Sequence, residues 1–200
     1  MAQNHNPFAV QGMNVVTPKG KALWCKYLEP DRKYVPEGKL ETQIVLDPND
    51  PATQAFVDRM EALQDTAFNE TVETLGAKGK NVVKAPIYQE DDNGNYVFKF
   101  HLNKVDLRKA AGKQHTIQAV DANKQPITDG TLVGNGSTIR VASFVYPYYM
   151  ASTRQVGLTT LWSKLQVIDL VEYSGGGVGD DFDEEDGYVA PTASNDADDF

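Results

Sequence analysis

The sequence of 200 residues predicts a mainly β fold, a five-stranded barrel with one inserted α-helix, followed by a disordered acidic C-terminal tail. Three observations predict this arrangement. Glycine and proline divide most of the chain into short segments rich in β-branched and aromatic residues, which is typical of strands. One long segment instead repeats its apolar residues at helical spacing, and the last residues are too acidic to pack a core.

The chain begins with three strand segments. Segments rich in β-branched and aromatic residues lie near Met13 to Thr17, Lys21 to Leu28 and Lys39 to Leu46, and glycine and proline separate these segments. The pattern therefore predicts three consecutive strands.

A single amphipathic helix follows the third strand. Asn49-Asp50-Pro51 supplies an N-cap with proline at the first helical position. Apolar residues then recur at helical spacing, at Ala55, Phe56, Met60, Leu63, Ala67, Val72 and Leu75. Because Gly76 ends the pattern, we expect a helix from Pro51 to about Leu75.

Turn-forming and basic segments follow the helix. Gly76 to Lys80 predicts a mobile basic loop, and Asp92-Asn93-Gly94-Asn95 predicts the turn of a β-hairpin. Asn103 to His115 is a second basic connection. The two basic loops, Lys78 to Lys84 and Lys104 to Lys113, could flank a binding surface on the strands.

The remaining segments complete a barrel. Thr116 to Val120 predicts a short strand and Asn123 to Gly136 a turn-rich loop, and Ser137 to Tyr146 and Leu158 to Tyr173 predict two long closing strands. This order is expected of a five-stranded oligonucleotide-binding (OB) fold barrel. A generic β-sandwich with an excursion helix is the alternative that the pattern leaves open.

The surplus of acidic residues lies at the C-terminus. The net charge is −9, and Ser174 to Phe200 holds nine acids and no Lys or Arg, which leaves 19 acids and 19 bases for the rest. Gly175 to Gly179 predicts a flexible linker. We therefore divide the chain into an OB-fold body, residues 1–173, and a tail of glycine linker and acidic disordered residues, 174–200.

Several classes of function lack their motifs. The three histidines and the single cysteine show no metal-ligand spacing. Neither a phosphate-binding loop nor a nucleophile motif is present. We therefore expect no enzyme, no cofactor and no metal.

The sequence also indicates the compartment. No segment approaches about 18 consecutive apolar residues, which excludes a membrane-spanning helix. Cys25 has no second cysteine to pair with, and Met1 to Val10 lacks a basic start followed by an apolar run. These features predict a cytoplasmic protein without a membrane partner.

Aromatic and basic residues share faces of the predicted strands. In the first closing strand, alternation places Ile139, Val141 and Val145 on the core side. Its opposite face carries one cation and a row of rings. Rings stack on nucleobases of any sequence, and Lys or Arg neutralises phosphates, so this composition predicts a groove for a single strand of nucleic acid.

The candidate stacking residues are Trp24, Phe144, Tyr146, Tyr148 and Trp162. The candidate phosphate contacts are Lys21, Lys26, Lys99, Arg108, Lys109, Lys113, Arg140 and Lys164. On the last strand we expect Leu161, Leu165 and Val167 inside, with Trp162 and Lys164 outside. Core packing stays open as the alternative for each single ring.

A known family combines these features. A glycine linker, an acidic tail ending in Asp198-Asp199-Phe200 and a β-rich body with one helix after the third strand resemble phage-encoded single-stranded DNA-binding proteins of replication. The resemblance implies that an OB-fold body coats single-stranded DNA during replication and recombination in the host cytoplasm. It also implies that Phe200, with Asp198 and Asp199, docks onto replication proteins such as polymerase, helicase or nuclease.

The charge division suggests a mechanism for the tail. An acidic segment on a flexible linker stays concentrated near the body and is expected to compete with DNA for its groove.

Two other classes of function stay open: a non-enzymatic phage structural or protein-interaction adaptor with a β-sandwich body, and a DNA-modifying enzyme whose carboxylates or histidines meet only in the fold. The oligomeric state, a homodimer included, and the choice between DNA and RNA stay open as well.

Overall fold

The structure is a computed structural model that describes residues 9–106 and 112–172. The strands in this part of the chain are β1 (Met13–Val16), β2 (Gly20–Asp31), β3 (Lys39–Leu46), β4 (Val83–Lys84), β5 (Gln89–Glu90), β6 (Tyr96–Asn103), β7 (Val105–Asp106), β8 (Lys113–Gln114), β9 (Gln118–Val120), β10 (Thr138–Met150) and β11 (Gln155–Asp169). The helices are α1 (Pro51–Leu75) and a 3-10 helix (Gly76–Asn81).

Five strands form a closed circuit. β2 pairs with β3, β3 with β6, and β10 with β11, all antiparallel. β6 and β11 meet in parallel at His101 and Leu161, and β10 returns to β2, where Thr138 lies opposite Lys21. The order β2-β3-β6-β11-β10 is therefore one sheet closed on itself rather than the two sheets of a sandwich. The predicted mainly β fold with one helix is confirmed.

The core lies inside this circuit. Alternation along each strand directs every second side chain inward, and the fully buried large side chains include Leu40, Ile44, Phe98, Ile139 and Leu165. Burying a side chain of this size contributes about 1.5–3 kcal/mol to folding. The strands are thereby fixed in register, and the outward residues of each strand are free to form a site.

Helix α1 covers one side of the core. The Asp50 side chain accepts a hydrogen bond from the backbone N–H of Ala52 (2.9 Å), which satisfies one of the free donors of the first turn. On its buried face, Phe56 packs edge-on against Phe98 of β6, with ring centroids 5.1 Å apart. The helix ends at Leu75, so both predicted bounds are confirmed.

The predicted hairpin is also confirmed. Gln89 lies opposite Val97, and Asp91 Oδ1 accepts hydrogen bonds from the backbone N–H groups of Asn93 (2.9 Å) and Asn95 (2.8 Å). The carboxylate therefore organises the turn between β5 and β6.

The structure differs from the prediction at several other places. The basic segment predicted as a loop after α1 is the 3-10 helix, whose end is marked by the Val82 N–H donating to the Gly79 carbonyl (3.1 Å). β7 and β8 form a small antiparallel ribbon that the sequence pattern did not indicate. β10 continues through Pro147, which lies beyond the residues that pair with β1, at an edge where proline is tolerated.

Among the described residues, no helix combines the length and apolar character needed to cross a bilayer.

Candidate nucleic-acid interface

Trp24 projects from a β-bulge in β2. Leu23 lies opposite Gln43 of β3. Lys26, three residues later, lies opposite Glu41, only two residues away on β3. The extra residue in β2 places Trp24 at φ +53°, a backbone conformation that bulky residues rarely adopt. The side chain points away from the barrel and is 61% exposed.

Asn135 supports this strained backbone. The Trp24 N–H donates a hydrogen bond of 2.8 Å to Asn135 Oδ1, on the loop before β10. Bulges and strained residues occur often at binding sites, where they redirect a side chain. The backbone of Trp24 is therefore fixed by the bulge and by a hydrogen bond to the loop before β10, and it directs the indole outward.

A surface hollow of about 220 Å³ lies beside Trp24. Three predicted site residues, Trp24, Lys26 and Lys99, line it together. They come from β2 and β6, the two strands that flank β3. The remaining lining residues, which the sequence analysis missed, are Glu41, Thr42 and Gln43 of β3.

The lysines around the hollow are paired with carboxylates. Lys26 Nζ lies 2.6 Å from Asp31 Oδ2. Lys39 Nζ and Lys99 Nζ lie 2.7 Å and 3.4 Å from the same atom, Glu41 Oε2. The hydrogen bond from Lys26 is the main reason that the pKa of Asp31 lies below its ordinary value. Three cations thus share two carboxylates.

Burial and charge act against each other at Glu41. Burial raises the pKa of this carboxyl, but pairing with Lys39 and Lys99 outweighs burial and holds the pKa below its ordinary value. The neighbouring His101, opposite Glu41 on β6, has a lowered pKa, first because of burial and then because of Lys39 and Lys99. Glu41 is therefore ionised and His101 neutral near pH 7.

A second exposed face lies on the ribbon of β10 and β11. Arg140, Phe144, Tyr146 and Tyr148 alternate with buried residues along β10 and so share its outer face, as predicted. The rings of Phe144 and Tyr146 lie 6.2 Å apart. Their role in stacking stays a prediction.

Two glycines make room for rings of this face. A Cβ at Gly12 would stand 2.6 Å from Phe144 Cζ, and a Cβ at Gly157 would stand 2.5 Å from Tyr148 Cζ. These distances are shorter than van der Waals contact. Phe144 and Tyr148 therefore lie close against bare backbone at Gly12 and Gly157, where any larger residue would collide with the ring.

The structure contradicts the predicted position of Trp162. Its side chain is 1% exposed and lies in the core, whereas Lys164 is exposed. Ser143 lies opposite Trp162 and Ala142 opposite Lys164, so Ser163 is an extra residue on β11. This bulge reverses the alternation, which removes Trp162 from the candidate stacking residues and places Leu161, predicted inside, opposite Phe144 on the outer face.

The other predicted cations are dispersed. The Lys21 ammonium donates to Thr138 Oγ1 (2.9 Å), and Arg140 Nε donates to the Thr17 carbonyl (3.0 Å), so each is held against a neighbouring strand. Lys113 is exposed on β8. Arg108 and Lys109, and the tail residues Asp198, Asp199 and Phe200, lie outside the described residues.

Sequence analysis missed an exposed ring on the β2–β3 connection. Tyr34 is 83% exposed, and Lys33 Nζ lies 5.2 Å from the centre of its ring. Arg32 Nη1 donates to the Pro36 carbonyl (3.0 Å), which closes the loop. The run Arg32-Lys33-Tyr34 is the signal that could have identified it.

Reactive chemistry is limited in this region. Burial raises the pKa of Cys25 to about 12, although a hydrogen bond with Thr42 lowers it, so the thiol stays protonated at neutral pH. Across residues 9–106 and 112–172, His, Cys, Asp and Glu form no group of three or more that could hold a metal ion.

Comparison with known proteins finds sequence relatives in two bacteriophages. No protein-family model matches the chain. The single-stranded DNA-binding protein of Enterobacteria phage T3 is 25% identical over 169 residues, covering 78% of this chain and 73% of that protein. The single-stranded DNA-binding protein of Escherichia phage T7 is 26% identical over 171 residues, covering 78% and 72%.

Solved structures share the fold. The crystal structure of gp2.5, a single-stranded DNA-binding protein encoded by bacteriophage T7, superposes with a TM-score of 0.72 at 22% identity, covering 90% of this chain and 100% of that one. The bacteriophage Enc34 single-stranded DNA-binding protein in complex with ssDNA gives a TM-score of 0.50 at 10% identity, covering 81% and 89%. The resemblance to phage-encoded single-stranded DNA-binding proteins is confirmed.

Proposed function

We propose that this protein binds single-stranded DNA and coats it, without catalysis, during phage replication and recombination in the host cytoplasm. One observation carries the proposal: the exposed Trp24 stands beside Lys26 and Lys99 at a hollow on the outer face of β2, β3 and β6. The relatives from phages T3 and T7, both named for binding single-stranded DNA, support it.

The hollow combines the two interactions that a single strand requires. A nucleobase can stack on the exposed face of Trp24, and such a contact contributes about 1–3 kcal/mol per base. Lys26 and Lys99 line the same hollow and can pair with the phosphates on either side of that base. Gln43 lines the same hollow and offers an amide.

The ribbon face extends this surface in the proposal. Phe144 and Tyr146 offer two further rings on β10. β11 joins this face to the hollow, because Leu161 lies opposite Phe144 on one side and His101 on the other. Single-stranded DNA bound at Trp24 could thus continue across β6 and β11 to the rings of Phe144 and Tyr146.

The tail has a regulatory role in the same proposal. The segment from Ser174 to Phe200 carries the entire surplus of negative charge, so it competes with DNA for the lysines of the body. When DNA occupies the site, Phe200 and its neighbouring aspartates become available to replication proteins such as polymerase, helicase or nuclease. Truncation after Tyr173 should therefore tighten binding of single strands at matched salt, and equal or weaker affinity would count against this role.

A fluorescence titration with oligo(dT) tests the main proposal. Wild-type protein should lose tryptophan emission on binding, and its affinity should fall steeply with salt. Trp24→Phe should abolish most of this quenching, whereas Trp162→Phe should retain it because the buried indole does not meet the strand. Trp24→Ala should weaken binding by about 1–3 kcal/mol. Quenching that survives in Trp24→Phe, or equal affinity for duplex DNA, would contradict the proposed site.

A further inference from the structure

The lysines at the hollow, Lys26 and Lys99, and the adjacent Lys39 already have anionic partners in the free protein. Lys26 is paired with Asp31 at 2.6 Å, and Lys39 and Lys99 share Glu41 at 2.7 Å and 3.4 Å. A phosphate that binds one of these ammonium groups must therefore replace or share a carboxylate.

Glu41 occupies the centre of this arrangement. On β3 it lies opposite Lys26 of β2 on one side and opposite His101 of β6 on the other. Its side chain is 17% exposed, less than the side chains of Lys39 and Lys99, which pair with it. The carboxylate thus forms part of the lining of the hollow, where a bound strand would pass.

We propose that Glu41 and Asp31 act as internal substitutes for phosphate, which hold the lysines of the empty site and oppose the entry of DNA. The inference rests on the proposed function and adds a means of regulating it: the two carboxylates limit the affinity of the body for a single strand. Binding is then an exchange in which lysines leave carboxylates for phosphates.

This exchange changes both affinity and salt dependence. Once Lys39 and Lys99 turn to phosphates, Glu41 remains as an unpaired anion beside the DNA backbone, and like charges at short distance repel. Binding to single strands normally steepens the salt dependence by about 0.7 in log–log slope for each phosphate that is neutralised. A freed carboxylate attracts a cation again, so part of this release is cancelled and the slope becomes shallower.

A positioning role for Glu41 predicts the opposite sign. If its carboxylate only orients Lys39 and Lys99 for the phosphates, its removal disorders the two side chains and weakens binding. The direction of change in a single neutral variant therefore separates the two roles.

The test measures oligo(dT) affinity across a series of salt concentrations for wild-type protein, Glu41→Gln and Asp31→Asn. Glu41→Gln should bind about three- to tenfold more tightly at low salt and show a steeper slope, because two partly exposed ion pairs no longer compete. Asp31→Asn should shift in the same direction by less, since it frees only Lys26. Asp58→Asn, an exposed position on α1, removes the same charge away from the hollow and should leave the affinity nearly unchanged.

A double-mutant cycle connects the effect to the lysines. In a Lys39→Met, Lys99→Met background, the gain from Glu41→Gln should be largely lost if the carboxylate acts through these partners. Thermal melts establish that each variant is folded, and Asp31→Asn repeats the test at an independent pair.

The outcomes separate this inference from the proposed function. Wild-type protein that binds oligo(dT), with Glu41→Gln equal to it or weaker, overturns the inference alone. If Glu41→Gln tightens binding just as much in the background that lacks Lys39 and Lys99, the inference is overturned as well. The effect would then be general repulsion between the Glu41 carboxylate and DNA. Absence of saturable binding by wild-type protein overturns the proposed function, and the inference with it.

Discussion

Trp162 Nε1 donates a hydrogen bond of 3.0 Å to the backbone carbonyl of Lys164. The bond crosses the bulge in β11 and satisfies the indole N–H inside the barrel, where an unpaired donor would be costly. The two residues thus face opposite sides of one strand although they are two positions apart. Trp162 and Lys164 look in sequence like an aromatic and a basic residue of one binding face, but only Lys164 faces outward, and Trp162 belongs to the core.

Trp162→Ala should destabilise the protein by about 3–5 kcal/mol, because it removes a large buried side chain and leaves a cavity. Urea unfolding at constant pH measures the loss. Trp24→Ala is the matched control: the indole there is exposed, and its removal should change stability far less. Similar losses for the two variants would show that Trp162 is not in the core.

Gln64→Ala should cost about 1–3 kcal/mol, because it removes two hydrogen bonds that a buried side-chain amide makes to backbone carbonyls. Gln64 Nε2 donates to the carbonyls of Ala85 (2.7 Å) and Val156 (3.0 Å), and so joins α1 to the segment after β4 and to β11. Thr66→Ala, on the exposed side of the same helix, controls for helix propensity. A loss no larger than that of Thr66→Ala in urea unfolding would contradict the bridging role.

Gly157→Ala should destabilise the fold by about 1–3 kcal/mol through overpacking. The three nearest atoms to a Cβ at this position all belong to the Tyr148 side chain. The same change should therefore cost little in a Tyr148→Ala background, and melting temperatures of the four proteins measure this coupling. A cost that persists without the ring would show that the backbone, rather than Tyr148, requires glycine.

Tyr34→Ala should weaken oligo(dT) binding by about 1–3 kcal/mol if this exposed ring on the β2–β3 connection stacks on a base. Tyr34→Phe retains the ring and should bind like wild-type protein. Titration of both variants at one salt concentration is sufficient. Equal affinities for Ala and Phe would place the loop outside the interface.

The lowered pKa of His101 predicts a loss of stability in mild acid. The folded pKa lies below the unfolded value of about 6.5, because burial and then Lys39 and Lys99 disfavour the charged ring. As the pH falls below that unfolded value, the unfolded chain takes up the proton first, so stability decreases until the folded pKa is passed.

Urea unfolding between about pH 8 and pH 5 measures this effect. Wild-type protein should lose more stability over this range than His101→Gln, which cannot take up the proton. The depressed pKa of Glu41 contributes in the same direction only at lower pH, where its carboxylate is protonated. Parallel curves for the two proteins would contradict the pKa direction at His101.

The sequence could predict those features that depend on local patterns. The helix bounds follow from Asp50, Pro51 and Gly76, which act on neighbouring residues alone. The two faces of β10 follow from uninterrupted alternation. The faces of β2 and β11 do not, because each contains a bulge whose extra residue is set by pairing with another strand.

The candidate site was predictable only in part for a related reason. The sequence indicates Trp24 as a candidate for stacking, and Lys26 and Lys99 as candidates for phosphate contact. That all three line one hollow depends on the pairing of β2, β3 and β6, which the sequence does not show. Glu41 was missed because an acid was not expected among phosphate contacts. Its importance follows from its distances to two lysines, and those distances exist only in the folded protein.

Closure of the barrel has a consequence for biosynthesis. β2 begins near the N-terminus, yet Lys21 finds its partner Thr138 only after most of the chain has been made, and β11 follows later still. A topology dominated by such distant pairings folds slowly. During translation, the edge of β2 that later pairs with β10 remains without its hydrogen-bonding partner until β10 has been synthesised. We expect a nascent chain arrested before β10 to be readily degraded by proteases, whereas one extended beyond β11 should resist them.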